Sequence, residues 1–169
     1  TSLSQTCPAK CECVAEGGDV QQGRVGTVLR SGFKSGPVSI KASYFYNTNV
    51  STSSSQIAIL AGPPVGEAFG IYPQYKNISG LWKFGLRNKV TSDVADFWGN
   101  SIPDNTAISF KTYNTGGLFD PGTSQTSDGL AESWLVSVPN PVPAQGFVSI
   151  TAEAVNGGRT TRVNCLAVV

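Results

Sequence analysis

Three carboxylates, Asp93, Asp96 and Asp104, fall in one short stretch and are flanked by Asn100 and Asn105. Hard oxygen donors gathered in a loop suit Ca²⁺, so these three are candidate calcium ligands, although their spacing is not that of an EF-hand loop. The central part of the chain, 72–98, is also rich in aromatic residues. Tyr72, Tyr75 and Trp98 follow no strand-like alternation and so are expected at the surface, where they could stack on sugar rings with Asn77, Asn88 and Asn100 as hydrogen-bond partners. Trp82 and Trp134 alternate with polar neighbours and are expected to face a core.

Four cysteines, Cys7, Cys11, Cys13 and Cys165, form an even set, which in an exported chain implies two disulfides. Cys11 and Cys13 stand two apart and share a face of any extended segment, which makes a bond between them awkward. A bond from one of them to Cys165 is therefore expected. The Cys-x3-Cys-x-Cys spacing lacks the paired knuckles of a structural zinc site. Asn49 and Asn77 each begin an Asn-x-Ser triplet and are candidate glycosylation sites in an exported protein. Thr1 in place of an initiator Met fits a processed, secreted chain, and no apolar run approaches the length of a membrane span.

Composition narrows the chemistry. With no histidine, Ser-His-Asp and Cys-His machinery, imidazole metal ligands and an imidazole pH switch all drop out. Twelve basic residues balance eleven acidic ones without a basic stripe, which weighs against a nucleic-acid partner. A glycosidase needs two carboxylates across a cleft, but most acids here sit beside turn residues. The expectation is that the chain is not an enzyme.

The elements that must position these residues are strands. Turn signals recur at short intervals, among them Gly17-Gly18, Gly62-Pro63-Pro64, Asp120-Pro121-Gly122, Asp128-Gly129 and Asn156-Gly157-Gly158. Between them lie runs rich in Val, Ile, Thr and aromatic residues: 25–30, 38–46, 57–61, 81–87, 107–113, 133–138, 147–155 and 161–169. Alternation puts Val38, Ile40, Ala42 and Tyr44 on one face, Trp82, Phe84 and Leu86 on another, and Trp134, Val136 and Val138 on a third. The stretch 92–98 has Ser92 as a candidate N-cap and could form a helical turn or two. The Ser/Thr-rich stretch 47–56 is expected to be an exposed loop, and 139–143 a stiff proline connector.

About eight such strands predict an all-β fold, an antiparallel β-sandwich or jelly roll tied by disulfides. Residues 1–14 form an N-terminal arm and cysteine-rich segment, and residues 15–169 a single sandwich domain. A near-neutral surface removes the self-repulsion that keeps proteins apart. The functional expectation is a secreted structural subunit of an extracellular filament, tube or coat, with copies of itself as partners. The arm would add as a strand to a neighbour's sheet, with Leu3 as its one large aliphatic anchor. The alternative is a carbohydrate-binding module or lectin-like adhesin with glycans as partners.

Overall fold

The computed structural model describes residues 28–44, 47–78, 83–113, 117–140, 147–156 and 159–168. All regular structure among them is antiparallel β, with no helix, and so none long and apolar enough to cross a membrane. Two compact units divide the chain at Leu60/Ala61. In the first, β1 (Gly36–Val38) pairs with β4 (Ile57–Ile59), and β2 (Lys41–Tyr44) with β3 (Asn47–Ser53). The segment 47–53 is thus a strand and not the expected loop. Thr48, Val50 and Thr52 place β-branched residues at every second position, which favours a strand even where it is solvated.

The second unit is a sandwich of two four-stranded sheets. One has the order β5 (Pro64–Pro73), β6 (Arg87–Asp96), β10 (Leu130–Ser137), β8 (Gly117–Asp120). The other runs β12 (Arg159–Val168), β11 (Phe147–Asn156), β7 (Ala107–Tyr113), β9 (Thr123–Gln125). Taken in chain order, this is the A-B-E-D against G-F-C pairing of a constant-type immunoglobulin sandwich, with β9 added beside the third strand. Phe69, Ile71, Val90, Val94, Ala131 and Leu135 from the first sheet meet Ile108, Phe110, Val148, Ile150, Ala152 and Ala154 from the second in one core.

Three sequence expectations change here. The stretch 92–98 is not helical: its first five residues finish β6, whose buried face is Asn88, Val90, Ser92, Val94 and Asp96. Polar residues on that face hide its period-two pattern. Of the expected strand 81–87, the described part from Lys83 is not a strand until Arg87, because Gly85 at φ 78° makes a turn with Phe84 and β6 begins only at Arg87. Trp82 lies outside the described residues. On β10 the inward face is Ala131, Ser133, Leu135 and Ser137, so Trp134 and Val136 point outward, opposite to expectation. The large residues face away because the serines satisfy backbone groups: Ser133 Oγ donates to the Pro121 carbonyl, and Ser137 Oγ accepts from Leu86 N and donates to the Lys83 carbonyl.

The polar residues of β6 explain how its neighbour is held. Asn88 Oδ1 accepts Tyr75 N at 3.0 Å and Asn88 Nδ2 donates to the Tyr75 carbonyl at 2.6 Å, pinning the chain just beyond β5. At the other end of β6, Asp96 Oδ2 accepts Gly62 N at 2.9 Å, pinning the chain just before β5. One strand therefore clamps both ends of an edge strand that contains Pro64, Gly66, Gly70 and Pro73.

Candidate functional site

A sandwich has four sheet edges, and each offers unpaired backbone groups to another strand. Here β8 and β9 are four and three residues long, too short for much of a template. β5 is long but shifts register between Pro64 and Phe69, and its prolines and glycines blunt it. β12 differs. It runs ten residues, Arg159–Val168, in unbroken register with β11, contains neither Pro nor Gly, and among the described strands pairs only with β11. Its inward residues Val163 and Cys165 pack against the core but are only partly buried. Its outward residues include exposed Arg162, Asn164 and Leu166, the last 60% exposed.

The outer face beside this edge is held by an ion-pair cluster. Glu153 of β11 is buried, and Lys111 Nζ on β7 donates to its Oε2 at 2.6 Å. Arg162 Nε on β12 lies 2.7 Å from Oε1 as an ion pair, with an angle outside hydrogen-bond geometry. The hydrogen bond from Lys111, against the opposing effect of burial and with the charges of Arg162 and Lys111 adding to it, holds the Glu153 carboxyl below its ordinary range. Alongside, Thr151 Oγ1 donates to Asn164 Oδ1 at 2.6 Å. Two cross-strand contacts therefore tie β12 to β11, and on its other side β12 is flanked by β5, with Thr161 Oγ1 donating to the Pro64 carbonyl at 3.1 Å.

The candidate calcium ligands are not brought together. Asp93 and Asp96 stand three apart on one strand and so face opposite sides of the sheet, Asp93 exposed and Asp96 buried. Asp96 is already saturated. Its Oδ1 accepts Trp98 N at 2.8 Å and Asn100 N at 2.9 Å, and its Oδ2 accepts Gly62 N and Asn100 Nδ2, each at 2.9 Å. Burial raises the pKa of this carboxyl, but the Asn100 side chain and the three backbone donors outweigh it and lower the value to about 2. Asp104 Oδ1 accepts Asp128 N at 2.7 Å across a separate turn. Among the described residues no three acidic or cysteine side chains gather into a metal site.

The three candidate stacking aromatics are exposed, Tyr72 at 61%, Tyr75 at 55% and Trp98 at 57%, but they do not share a platform. Tyr75 is anchored beside Asn88, and Trp98 beside Asp96 with its ring edge-on to Phe97 at 5.0 Å. Asn88 and Asp96 are eight positions apart on β6, roughly 27 Å along the strand. Trp134, which alternation assigned to the core, instead stands on the outer face of the sheet, 38% exposed. The signal that could have placed it was the row of small residues, Ala131, Ser133 and Ser137, on the opposite face of its strand.

Cys165 is a half-buried thiol on the inward face of β12, and its Sγ donates to the Leu166 carbonyl at 3.5 Å. Cys7, Cys11, Cys13 and the arm residue Leu3 lie outside the described residues. Asn77 is exposed in the segment after β5, and Asn49 lies in β3 where its register with β2 shifts.

No family model and no curated protein matches the chain. Among solved structures it is similar to the D00-D0 domain of intimin, with 14% identity and a TM-score of 0.45 over 70% of this chain. It spans 58% of that chain's length.

Proposed function

We propose that the chain is a non-catalytic structural module of an extracellular filament, tube or coat, and that its copies join by strand addition at β12. The observation that carries this reading is the unbroken β12 edge with Val163 and Cys165 half-covered beneath it. An added strand would pair with β12 on the side where Thr161 Oγ1 now donates to the Pro64 carbonyl of β5, so it would have to enter between the two strands, and an apolar side chain facing inward would finish covering that margin of the core. The proposed donor is Thr1–Thr6 of another copy, with Leu3 as the inward anchor. A disulfide from Cys165 to Cys11 or Cys13 would leave residues 1–6 outside the closed loop and so available to a neighbour. The contact is head-to-tail, so it propagates and does not close as a dimer.

Deletion of residues 1–6 tests the donor. The truncated chain should keep the far-ultraviolet circular dichroism and melting transition of the full chain, yet show no polymers by negative-stain microscopy. Polymers formed as readily by the truncated chain would overturn the assignment of the donor.

A further inference from the structure

We propose that the outer face of the β5-β6-β10-β8 sheet carries a platform for one ring of a neutral carbohydrate, centred on Trp134. Strand register assembles the platform. Trp134 stands between Lys89 on β6 and Asp120 on β8, while in the next row Val136 stands between Arg87 and Leu118. Glu132, two residues before Trp134 on the same face, stands opposite Thr91. An exposed indole is thus bordered along its own strand by Val136 and Glu132, and across strands by charged side chains.

Those charges are already paired. Lys89 Nζ lies 2.6 Å from Glu132 Oε1, and the Arg87 guanidinium lies 3.0 Å from Asp120 Oδ2. Both pairs are diagonal in the register, the second reaching from β6 to β8 past the strand that holds Trp134. Each carboxylate has a second oxygen outside its ion pair, able to accept a sugar hydroxyl, and each cation has further N–H groups to donate. Mutual pairing holds these four side chains in place before a ligand arrives, which lowers the ordering cost of binding. The apolar C–H face of a pyranose would lie on the indole, with hydroxyls at the ring edge reaching the paired groups.

Two quantities favour a neutral sugar over a macromolecule. The two cations and two carboxylates around Trp134 cancel, so a nucleic acid or a charged peptide gains no net attraction there. The apolar surface formed by Trp134, Val136 and Leu118 spans about one strand spacing by one side-chain repeat, roughly 5 Å by 7 Å. A stable protein interface buries about 800 Å² on each partner, more than ten times that footprint. A single sugar ring matches it.

The test is titration of the full chain with soluble cello-, chito-, manno- and xylo-hexaose up to about 10 mM, followed by heteronuclear NMR of the indole N–H signals. At least one oligosaccharide should saturate and shift the Trp134 indole but not that of Trp98. Trp134→Ala should weaken that binding about ten-fold or more, the weight of one aromatic stacking contact. Trp98→Ala should leave it unchanged. Arg87→Gln, a surface change that breaks the pair with Asp120, should also weaken it. Absence of binding by all four sugars would overturn the proposal, as would equal affinity in Trp134→Ala. If Trp134→Ala does not fold, the wild-type indole shifts and Arg87→Gln still decide. A Trp134→Ala chain that keeps its sugar affinity but loses self-association would make the face a protein contact, and that too would refute the platform.

Discussion

Replacing Asp96 by Asn should destabilise the sandwich strongly at neutral pH and much less in acid. In the wild type both carboxylate oxygens accept N–H donors, Oδ1 from Trp98 and Asn100 and Oδ2 from Gly62 and the Asn100 side chain. An Asn side chain has only one acceptor oxygen, so its NH₂ must face at least one part-buried donor. Leaving such a donor unsatisfied costs about 1–3 kcal/mol, to which the lost charge assistance adds. A total near 3 kcal/mol corresponds to a fall in Tm of about 12 °C for a domain of this size.

The acid dependence follows from the carboxyl itself. Its pKa falls from 3.8 to about 2 on folding, which at 1.36 kcal/mol per unit is worth about 2 kcal/mol. Because the folded value is the lower one, this stability is fully present above about pH 5 and is lost as the pH falls towards 2. Thermal melts of both proteins at pH 7, 4 and 2.5 should therefore show a gap that narrows by about 2 kcal/mol. A variant within about 0.5 kcal/mol of wild type at pH 7, or a gap that stays constant into acid, would refute the clamp.

Gly129→Ala should cost about 1–3 kcal/mol. Gly129 sits at φ 77° in a turn with Asp128 at φ 52°, and an added Cβ would stand 2.9 Å from Ser101 Cβ and 3.1 Å from the Val94 carbonyl oxygen; denaturant unfolding measures the loss. Glu153→Gln should lower stability at pH 7 by about 1–2 kcal/mol, since Lys111 and Arg162 are half-exposed and can resolvate. The folded Glu153 carboxyl titrates below 4.5, so its contribution is present above that pH and fades in acid, and the difference between variant and wild type should shrink there. Chelator should leave Tm unchanged, because the oxygens of Asp96 already accept protein donors and Asp93 faces the other way; elemental analysis with stoichiometric calcium would contradict this.

How much of this was legible depended on what each strand buries. β7 shows the expected bounds, 107–113, because Ile108 and Phe110 on its inward face alternate with polar residues. β11 and β12 are similarly close to expectation, since apolar residues recur at every second position through 148–154 and 163–167. β6 was hidden because Asn88, Ser92 and Asp96 occupy its buried face and serve as hydrogen-bonding clamps. β5 was hidden by prolines and glycines that an edge strand tolerates and a central one does not. Trp134 illustrates the converse. Its alternation was correct, but the face was inverted, because side-chain size was weighed without the serines that bond to backbone on the other side. The β12 edge has no local sequence signal, since it depends on which strands lie beside which.

That edge is the centre of the functional proposal, and one comparison tests it most directly. Asn164 and Leu166 point outward from β12 and are exposed, so Asn164→Lys/Leu166→Lys should preserve the fold while placing two like charges along the edge, a device that discourages strand pairing. Sedimentation velocity of the full chain over a concentration series should show growing polymers for the wild type and a monomer at every concentration for the double variant. Polymers of equal size in both proteins, or none in either, would contradict assembly through β12.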